Sequence, residues 1–306
     1  MKPSKFREAQ KHFIKHKWLY IMLVLPVLYF LIFAYGPMYG IIIAFKNYSP
    51  AIGIMDSPWV GMKNFNRFFD SYFFWEIIWN TLRLSLYSLL VSVPLPIILA
   101  LMFNEVRKKM FKSTVQTISY IPNFISVVVV VGMIIMFTSP VDGVFNIIRD
   151  FFGLKPIDFM GSTKIFPSVY VWSGVWQSVG WGTLIYTAAL SGIPMDQYEA
   201  ARLDGASKFQ TIWHITLPGI MPTIVINTIL ATGGILGVGF EKILLMQNDM
   251  NLPVSEVIST YVYKAGVVGS EFSFSTAIGL FNNIINFTVL ILVNWFAKKV
   301  GDTSLW

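Results

Sequence analysis

The chain alternates long apolar runs with shorter polar segments. A bilayer has about 30 Å of hydrocarbon, which roughly 20 helical residues cross. Each run can satisfy its backbone hydrogen bonds as a helix, whereas barrel strands would be shorter and would alternate polar with apolar positions. The pattern predicts an all-α, polytopic membrane protein with six transmembrane helices. The predicted spans are Trp18–Phe45, Ile77–Phe103, Ile118–Phe137, Ile165–Leu190, Gly219–Phe240 and Phe274–Phe296.

The first run follows a basic stretch, as a signal peptide would. It is too long for one, and no small-residue cleavage site follows it, so we interpret it as a retained span. Pro26 and Pro37 predict a kink in this helix.

Composition supports the membrane assignment. The chain of 306 residues is 55% hydrophobic and 13% charged, and its mean hydropathy is +0.62. Its lack of cysteine excludes disulfides and cysteine-based metal or redox sites. The net charge of +7 sits at the ends of apolar runs instead of in one solvated patch. It therefore reports membrane topology, and we expect no nucleic-acid partner.

Lys and Arg concentrate in 1–17, 104–117, 191–218 and 297–306. By the positive-inside rule these segments are cytoplasmic, which puts both termini in the cytoplasm. The sequence thus divides into a basic N-terminal segment 1–17, a six-helix membrane domain 18–296 and a cytoplasmic tail 297–306. Residues Lys2 to Lys17 have the pattern of a surface helix on anionic membrane lipid.

One cytoplasmic segment has the signals of a helical hairpin. Asp196 and Glu199 have capping-box spacing, which predicts a short helix from Gln197, and Gly205 is placed to end it. Ser207 and Gln210 repeat the spacing, so a second helix follows at once and passes Pro218 into the fifth span. An ordinary helical cytosolic loop would carry the same capping signals.

The hairpin also matches a known motif. Residues 199–218 read E-A-A-x3-G-x9-I-x-L-P without a gap, which resembles the EAA signature of ABC importer permeases. Further likeness to the type I sugar permeases of the maltose and glycerol-phosphate kind comes from "VGMKNF" at 60–65, "NTL" at 80–82 and "GVFN" at 143–146. Within that group the chain is most similar to the branch for oligosaccharides cut from polysaccharides.

The resemblance implies a mechanism. In this family the EAA helix is a coupling helix seated on a separate ATPase subunit, and closure of the ATPase dimer moves the spans between inward-open and outward-open states. The chain has no G-x-x-x-x-G-K-[ST] loop, so ATP and Mg²⁺ are expected on the partner ATPase, and this chain is expected to be no enzyme. The positions implied in coupling are Tyr198, Glu199, Ala200, Ala201, Arg202, Asp204, Gly205 and Pro218.

The resemblance also implies partners. We expect a second, homologous permease subunit in a heterodimer, two ATPase subunits and an extracellular solute-binding protein, in the bacterial cytoplasmic membrane. The loops 46–76, 138–164 and 241–273 are the predicted landing surface of the binding protein. The expected substrate is a sugar, with a non-sugar solute as the alternative.

Polar and aromatic groups inside the spans are candidates for the substrate path, because polar side chains are costly against lipid. Indole faces suit sugar rings, and amides suit hydroxyls. The alternative is that tryptophans form interfacial belts and asparagines link helices. The candidates are Trp172, Trp176, Gln177, Asn227, Asn282 and Asn286.

Two other classes fit less well. A gradient-driven secondary transporter should carry charges at the membrane midplane or an inverted repeat, and neither is visible. A membrane enzyme needs clustered catalytic groups, which the sequence lacks. No carboxylates lie at ligand spacing around His12, His16 or His214, so no metal site is expected.

Overall fold

The computed structural model describes residues 15–300 together with 304 and 305. Most of the predicted surface helix Lys2–Lys17 therefore lies outside the described residues, as do His12 and most of 301–306. The described chain is helical, and its one β-type contact is an isolated bridge between Lys46 and Trp59. The prediction of an all-α fold is confirmed.

The helices are named in chain order, and adjoining helical segments share one name where they run on. They are α1 Lys17–Phe45, α2 Gly53–Asp56, α3 Lys63–Phe69, α4 Phe74–Glu105, α5 Lys109–Phe124, α6 Val127–Phe137, α7 Val144–Phe151, α8 Phe166–Ser191, α9 Met195–Leu203, α10 Lys208–Gly233, α11 Phe240–Met246, α12 Leu252–Ser255, α13 Ile258–Tyr263 (continued by a π-helix Lys264–Val268) and α14 Phe272–Val300.

Four described helices, α1, α4, α10 and α14, are long and apolar enough to cross a membrane, and the bent pair α5–α6 makes a fifth if it counts as one span. α8 has 26 residues, or about 39 Å of helix. Its Trp, Ser and Gln residues make it less apolar than those four. The predicted number of six spans is compatible with this arrangement and stays a prediction.

The third predicted span, Ile118–Phe137, is wrong as a single helix. The chain bends by 99° between α5 and α6. Pro122 lies in a terminal 3-10 turn, and Ser126 takes extended geometry and caps α6 by accepting from the Val129 amide at 3.4 Å. A proline and a new N-cap within five positions stop one helix and start another.

The fifth predicted span, Gly219–Phe240, is continuous with the second hairpin helix, as predicted, but its outer end is wrong. The helix begins at Lys208, runs through a π-helical segment Ile212–Thr216 and stops at Gly233. Pro218 has no amide to donate to the fourth carbonyl before it, so the widened turn lets the helix continue. The glycine-rich residues 234–239 then form an irregular connection to α11, where glycine is unfavourable in a helix.

α8 lies at the centre of the packing. It contacts α4, most of all its second half, as well as α5 and the span part of α10. At Gly180 the main chains of α8 and α5 come so close that an added Cβ would lie 1.9 Å from the Ser119 carbonyl oxygen. Small residues permit this kind of close approach between membrane helices.

Against the other described helices, α1 packs at its C-terminal end. Its last segment, Tyr39–Phe45, contacts α14 and α3, whereas Lys17–Met38 contains no buried residue. Most of α1 therefore presents apolar side chains away from the rest of the described chain.

Asparagines from the family-like motifs fasten the loops. The Asn64 amide donates to the Ala44 carbonyl at 2.8 Å, and the Asn80 amide donates to the Pro253 carbonyl at 2.9 Å. Asn146 donates to the Ser139 carbonyl and accepts from the Ile157 amide, both at 2.9 Å. Each asparagine side chain thus makes the hydrogen bond that water would otherwise make to a backbone group without a helical partner.

Candidate functional sites: a helical hairpin and a polar cleft

α9 begins two residues before the predicted Gln197, so that expectation is wrong. Pro194 takes the N-cap position in a polyproline-like conformation (φ −59°, ψ 133°), and Asp196 lies inside the first turn. Proline ends the preceding chain in extended geometry, and a carboxylate in the first turn interacts favourably with the helix dipole.

The turn between α9 and α10 follows the predicted signals. Gly205 has φ +73°, and the amides of Gly205 and Ala206 donate to the carbonyls of Arg202 and Ala201 at 3.1 and 2.9 Å. This is a Schellman motif, which needs a left-handed residue and therefore favours glycine. Ser207 and Gln210 form a reciprocal capping box, as predicted.

One face of α9 is built into the protein. Tyr198 packs against a buried cluster that includes Ile193, Tyr186 and Ile220, and its hydroxyl lies 3.3 Å from the hydroxyl of Thr216. Ala201 is also buried. These residues join α9 to α8 and α10 and hold the helix against the rest of the described chain.

The other face is exposed. It carries most of the motif positions together with apolar side chains that the sequence reasoning missed. The exposed motif positions are Glu199, Ala200, Arg202, Asp204, Gly205 and Pro218. The exposed apolar residues of the hairpin are Met195, Leu203, Phe209 and Trp213. Exposed apolar side chains among charged ones are typical of a protein-binding surface.

An ion pair links the hairpin to a second helix. Lys208, the first residue of α10, lies 3.2 Å from the carboxylate of Glu105 at the end of α4. Both side chains are largely exposed, so the pair positions the hairpin more than it stabilises the fold.

A polar cleft, called the serine cleft below, lies between α4, α8 and the irregular segment 234–239. Ser85, Ser88 and Ser92 occupy one face of α4 at i, i+3 and i+7, and Ser178 of α8 lies across from them. Two adjoining cavities of about 170 and 180 Å³ share Ser88, Ser92 and Tyr170. The Ser85 hydroxyl is buried and has no hydrogen-bond partner among the described residues.

The cleft holds one lysine. Lys242 of α11 is only 9% exposed, and its ammonium donates to the Tyr170 carbonyl at 3.1 Å and lies 5.2 Å from the centre of the Tyr170 ring. α11 falls outside the predicted spans, in the loop 241–273. Burial lowers the pKa of the Lys242 ammonium from 10.5 to about 8, because an apolar environment disfavours the charged form.

The tryptophans predicted for the substrate path do not line these two cavities. Trp172 and Trp176 line an apolar cavity of about 820 Å³ between α6, α7 and α8. The Trp172 indole donates to the Tyr87 hydroxyl at 3.0 Å. These two residues share a face, as expected, but it is not the face of α8 that lines the serine cleft.

The predicted amides are also dispersed. Gln177 donates to the Ile125 carbonyl at the α5–α6 bend at 3.0 Å, and Asn286 accepts from the Leu236 amide in the glycine-rich segment at 2.9 Å. Asn227 donates within its own helix to the Thr223 carbonyl. Asn282 lines a separate cavity of about 450 Å³, and its buried amide oxygen has no partner in the described chain.

Within the described residues, no group of three His, Asp or Glu side chains is arranged to hold a metal ion. His214 lies on the hairpin helix α10, where its ring nitrogen is 3.0 Å from the Gln210 carbonyl.

Comparison with known proteins gives a consistent result. Residues 92–302 match the family model described as "Binding-protein-dependent transport system inner membrane component". The chain is 42% identical over 293 residues to Protein LplB of Bacillus subtilis, covering 95% of this chain and 92% of that protein. It is also 42% identical over 293 residues to the polygalacturonan/rhamnogalacturonan transport system permease protein YteP of Bacillus subtilis, covering 96% and 91%.

A solved structure has the same fold. A chain of the bacterial alginate ABC transporter in complex with alginate pentasaccharide-bound periplasmic protein superposes with a TM-score of 0.89 at 38% identity, covering 96% of this chain and 99% of that one. The family match covers the whole hairpin and the parts of the cleft that come from α8, segment 234–239 and α11, whereas Ser85 and Ser88 precede it. The chain therefore belongs to the binding-protein-dependent transport system inner membrane components, the multi-pass, non-catalytic permease subunits of ABC importers.

Proposed function

We propose that this chain is the permease subunit of an ATP-driven importer of carbohydrate, most simply an oligosaccharide, which works by alternating access. The hairpin α9–α10 couples it to a separate ATPase, and the serine cleft forms part of the sugar path. The observation that carries the proposal is the two-sided geometry of α9, which has exposed motif residues on one face and a buried anchor on the other.

The anchor supplies the mechanical link. A force on the exposed face of α9 passes through Tyr198 and Ile193 to α8 and α10, and through Lys208 to the end of α4. The helices that receive it border the serine cleft. Packed interfaces of this kind transmit displacement because their cores are dense and resist compression.

Carbohydrate is supported by chemistry and by likeness. Serine hydroxyls can both donate to and accept from sugar hydroxyls, and the cleft provides several at helical spacing. The relatives named above include a polygalacturonan/rhamnogalacturonan permease and an alginate transporter chain. A non-sugar solute is the alternative. A gradient-driven carrier is disfavoured because the matched family consists of permease subunits of ABC importers, which are driven by ATP.

The partners follow from the same proposal. A second permease subunit, two ATPase subunits that bind ATP and Mg²⁺, and an extracellular binding protein complete the importer. The unpacked part of α1 is available to membrane lipid and to the second permease. Both termini and the hairpin are placed in the cytoplasm, and the loops 46–76, 138–164 and 241–273 face the binding protein.

Glu199→Lys tests the coupling. The substitution reverses the charge on the exposed face of α9 without touching the buried face, so we expect ATP-dependent uptake to be lost while membrane insertion and yield stay normal. Glu199→Gln, which keeps the size of the side chain, should retain part of the activity. Uptake at the wild-type rate by Glu199→Lys would show that the coupling assignment is wrong.

A further inference from the structure

The cleft contains a lysine charge that no carboxylate of the described residues balances. The ion pairs of the described residues are Arg67–Glu271, Lys208–Glu105 and Lys264–Glu256, and none includes Lys242. A buried ammonium without a counter-ion is costly. In most proteins such a group is paired, so an unpaired one in a cavity is a candidate for ligand binding.

The hydrogen bonds of Lys242 are also incomplete. An ammonium carries three donors. Among the described residues only the Tyr170 carbonyl accepts from it. The remaining donors have room, because position 174 beside them is a glycine, and a Cβ there would lie 3.3 Å from the Lys242 nitrogen.

The surroundings of Lys242 are hydroxyl-rich and lack negative charge. Ser88, Ser92 and Ser178 line the same cavity, and the unpartnered hydroxyl of Ser85 lines the adjoining one. A ligand that suits this arrangement has one anionic oxygen pair for the lysine and neutral hydroxyls for the serines. A sugar ring bearing a carboxylate, a uronate, has both.

We propose that Lys242 binds the carboxylate of a uronate residue in the serine cleft and so makes this importer selective for acidic oligosaccharides. The inference rests on the proposed function and deepens it by naming the class of sugar. A single lysine matches the single negative charge of each uronate ring, whereas a doubly charged phosphate would require a second cation that the cleft lacks among the described residues. Lys242 is thus a specificity-determining residue.

The alternative to ligand binding is a purely structural role for Lys242. Its bond to Tyr170 joins α11 to α8, and a lysine that served only this purpose would affect all substrates alike. Acidic and neutral sugars of equal size separate the two roles, because only the first can use the charge.

The test uses the complete importer, reconstituted with its ATPase subunits and binding protein. The probes are trigalacturonate and trimannuronate, each paired with the neutral trisaccharide made by reducing its carboxylates. The variants are Lys242→Gln, which keeps a donor for the Tyr170 carbonyl, and Lys164→Gln, which removes an exposed lysine from another outer loop. The binding protein is unchanged throughout, so differences between variants arise in this chain.

We expect Lys242→Gln to lower uptake of at least one acidic probe about tenfold while the neutral counterpart changes less than about twofold. Lys164→Gln should change neither. An equal fall for acidic and neutral probes, or no fall, would overturn the inference. If the wild type imports neutral probes and excludes both acidic ones, the inference fails while the carbohydrate function stands. If the wild type imports no probe under ATP, the proposed function fails with it.

Discussion

The helical hairpin and the serine cleft depend on different kinds of sequence information. The hairpin is local: its caps, turn and exposed face come from residues 194–218. The cleft is assembled from α4, α8, α10 and α11, which are up to about 150 positions apart in the sequence. A local element tolerates changes elsewhere in the chain, whereas a cleft of this kind depends on the packing of every helix that borders it.

The largest effect is expected where that packing is tightest. Gly180→Ala places a Cβ 1.9 Å from the Ser119 carbonyl, and because a main-chain atom cannot move aside without its helix, α5 and α8 should separate. We expect the yield of folded protein in membranes to fall several-fold. Gly182→Ala is the control, since its Cβ would meet only the Pro96 ring at 3.1 Å. Equal yields for the two variants would contradict this view of the packing.

The cleft should also respond to pH. The pKa of Lys242 is lowered to about 8, so its charge is present below that pH and is lost as the pH rises through it. At pH 9 only about a tenth of the charge remains. The facing groups are Tyr170 of α8 and the serines of α4, α6 contributes no titratable side chain, and Glu241 of α11 is exposed.

We therefore expect the ratio of acidic to neutral trisaccharide uptake to fall several-fold between pH 7 and pH 9. Lys242→Gln has no group that titrates there, so its ratio should stay flat. A parallel decline in the variant would assign the pH dependence to another component of the importer.

A smaller effect is expected at the turn of the hairpin. Gly205 has φ +73° and open space around it, so Gly205→Ala introduces backbone strain of about 1 kcal/mol and no clash. Uptake should drop about two- to five-fold. Gly205→Asn should be milder, because asparagine tolerates left-handed geometry. A harmless alanine at this position would indicate that the turn relaxes without loss of coupling.

The smallest effect concerns the anchor. Tyr198→Phe removes only the 3.3 Å contact between hydroxyls and keeps the ring in its cluster, for a cost of about 0.5–1 kcal/mol. Uptake should stay within about twofold of wild type. Tyr198→Ala removes the ring itself and should impair coupling far more. Similar activity of the two variants would mean that the ring does not transmit movement.

The sequence allowed the hairpin and most spans to be predicted because their signals are local. Gly205 and the Ser207–Gln210 pair sit where short-range rules place them. The break between α5 and α6 was missed because the spans were predicted by counting apolar residues, and such a count gives no weight to Pro122 and Ser126. The end of α10 was missed because glycine is also common within membrane helices.

The cleft could not have been predicted in the same way. The serines of α4 have a visible i, i+3, i+7 spacing, but serine is common in membrane helices and this spacing does not say what it faces. Lys242 lies just beyond a predicted span, where a lysine is ordinarily interpreted as one of the charges that flank a membrane helix. Only the fold-back of α11 onto Tyr170 makes it a buried cation. Conversely, Gln177 and Asn286 have the right chemistry for a sugar path but are bonded to backbone groups.

The central claim, that the hairpin is a cytoplasmic surface seated on the ATPase, is tested most directly by single cysteines, because the chain has none of its own. Leu203→Cys in the hairpin and Val141→Cys in the loop 138–164 replace side chains of nearly equal exposure, 89% and 92%. A membrane-impermeant maleimide should label Val141→Cys in intact cells and Leu203→Cys only after permeabilisation, with protection of Leu203→Cys when the ATPase subunits are assembled. Labelling of Leu203→Cys from outside intact cells would contradict the account.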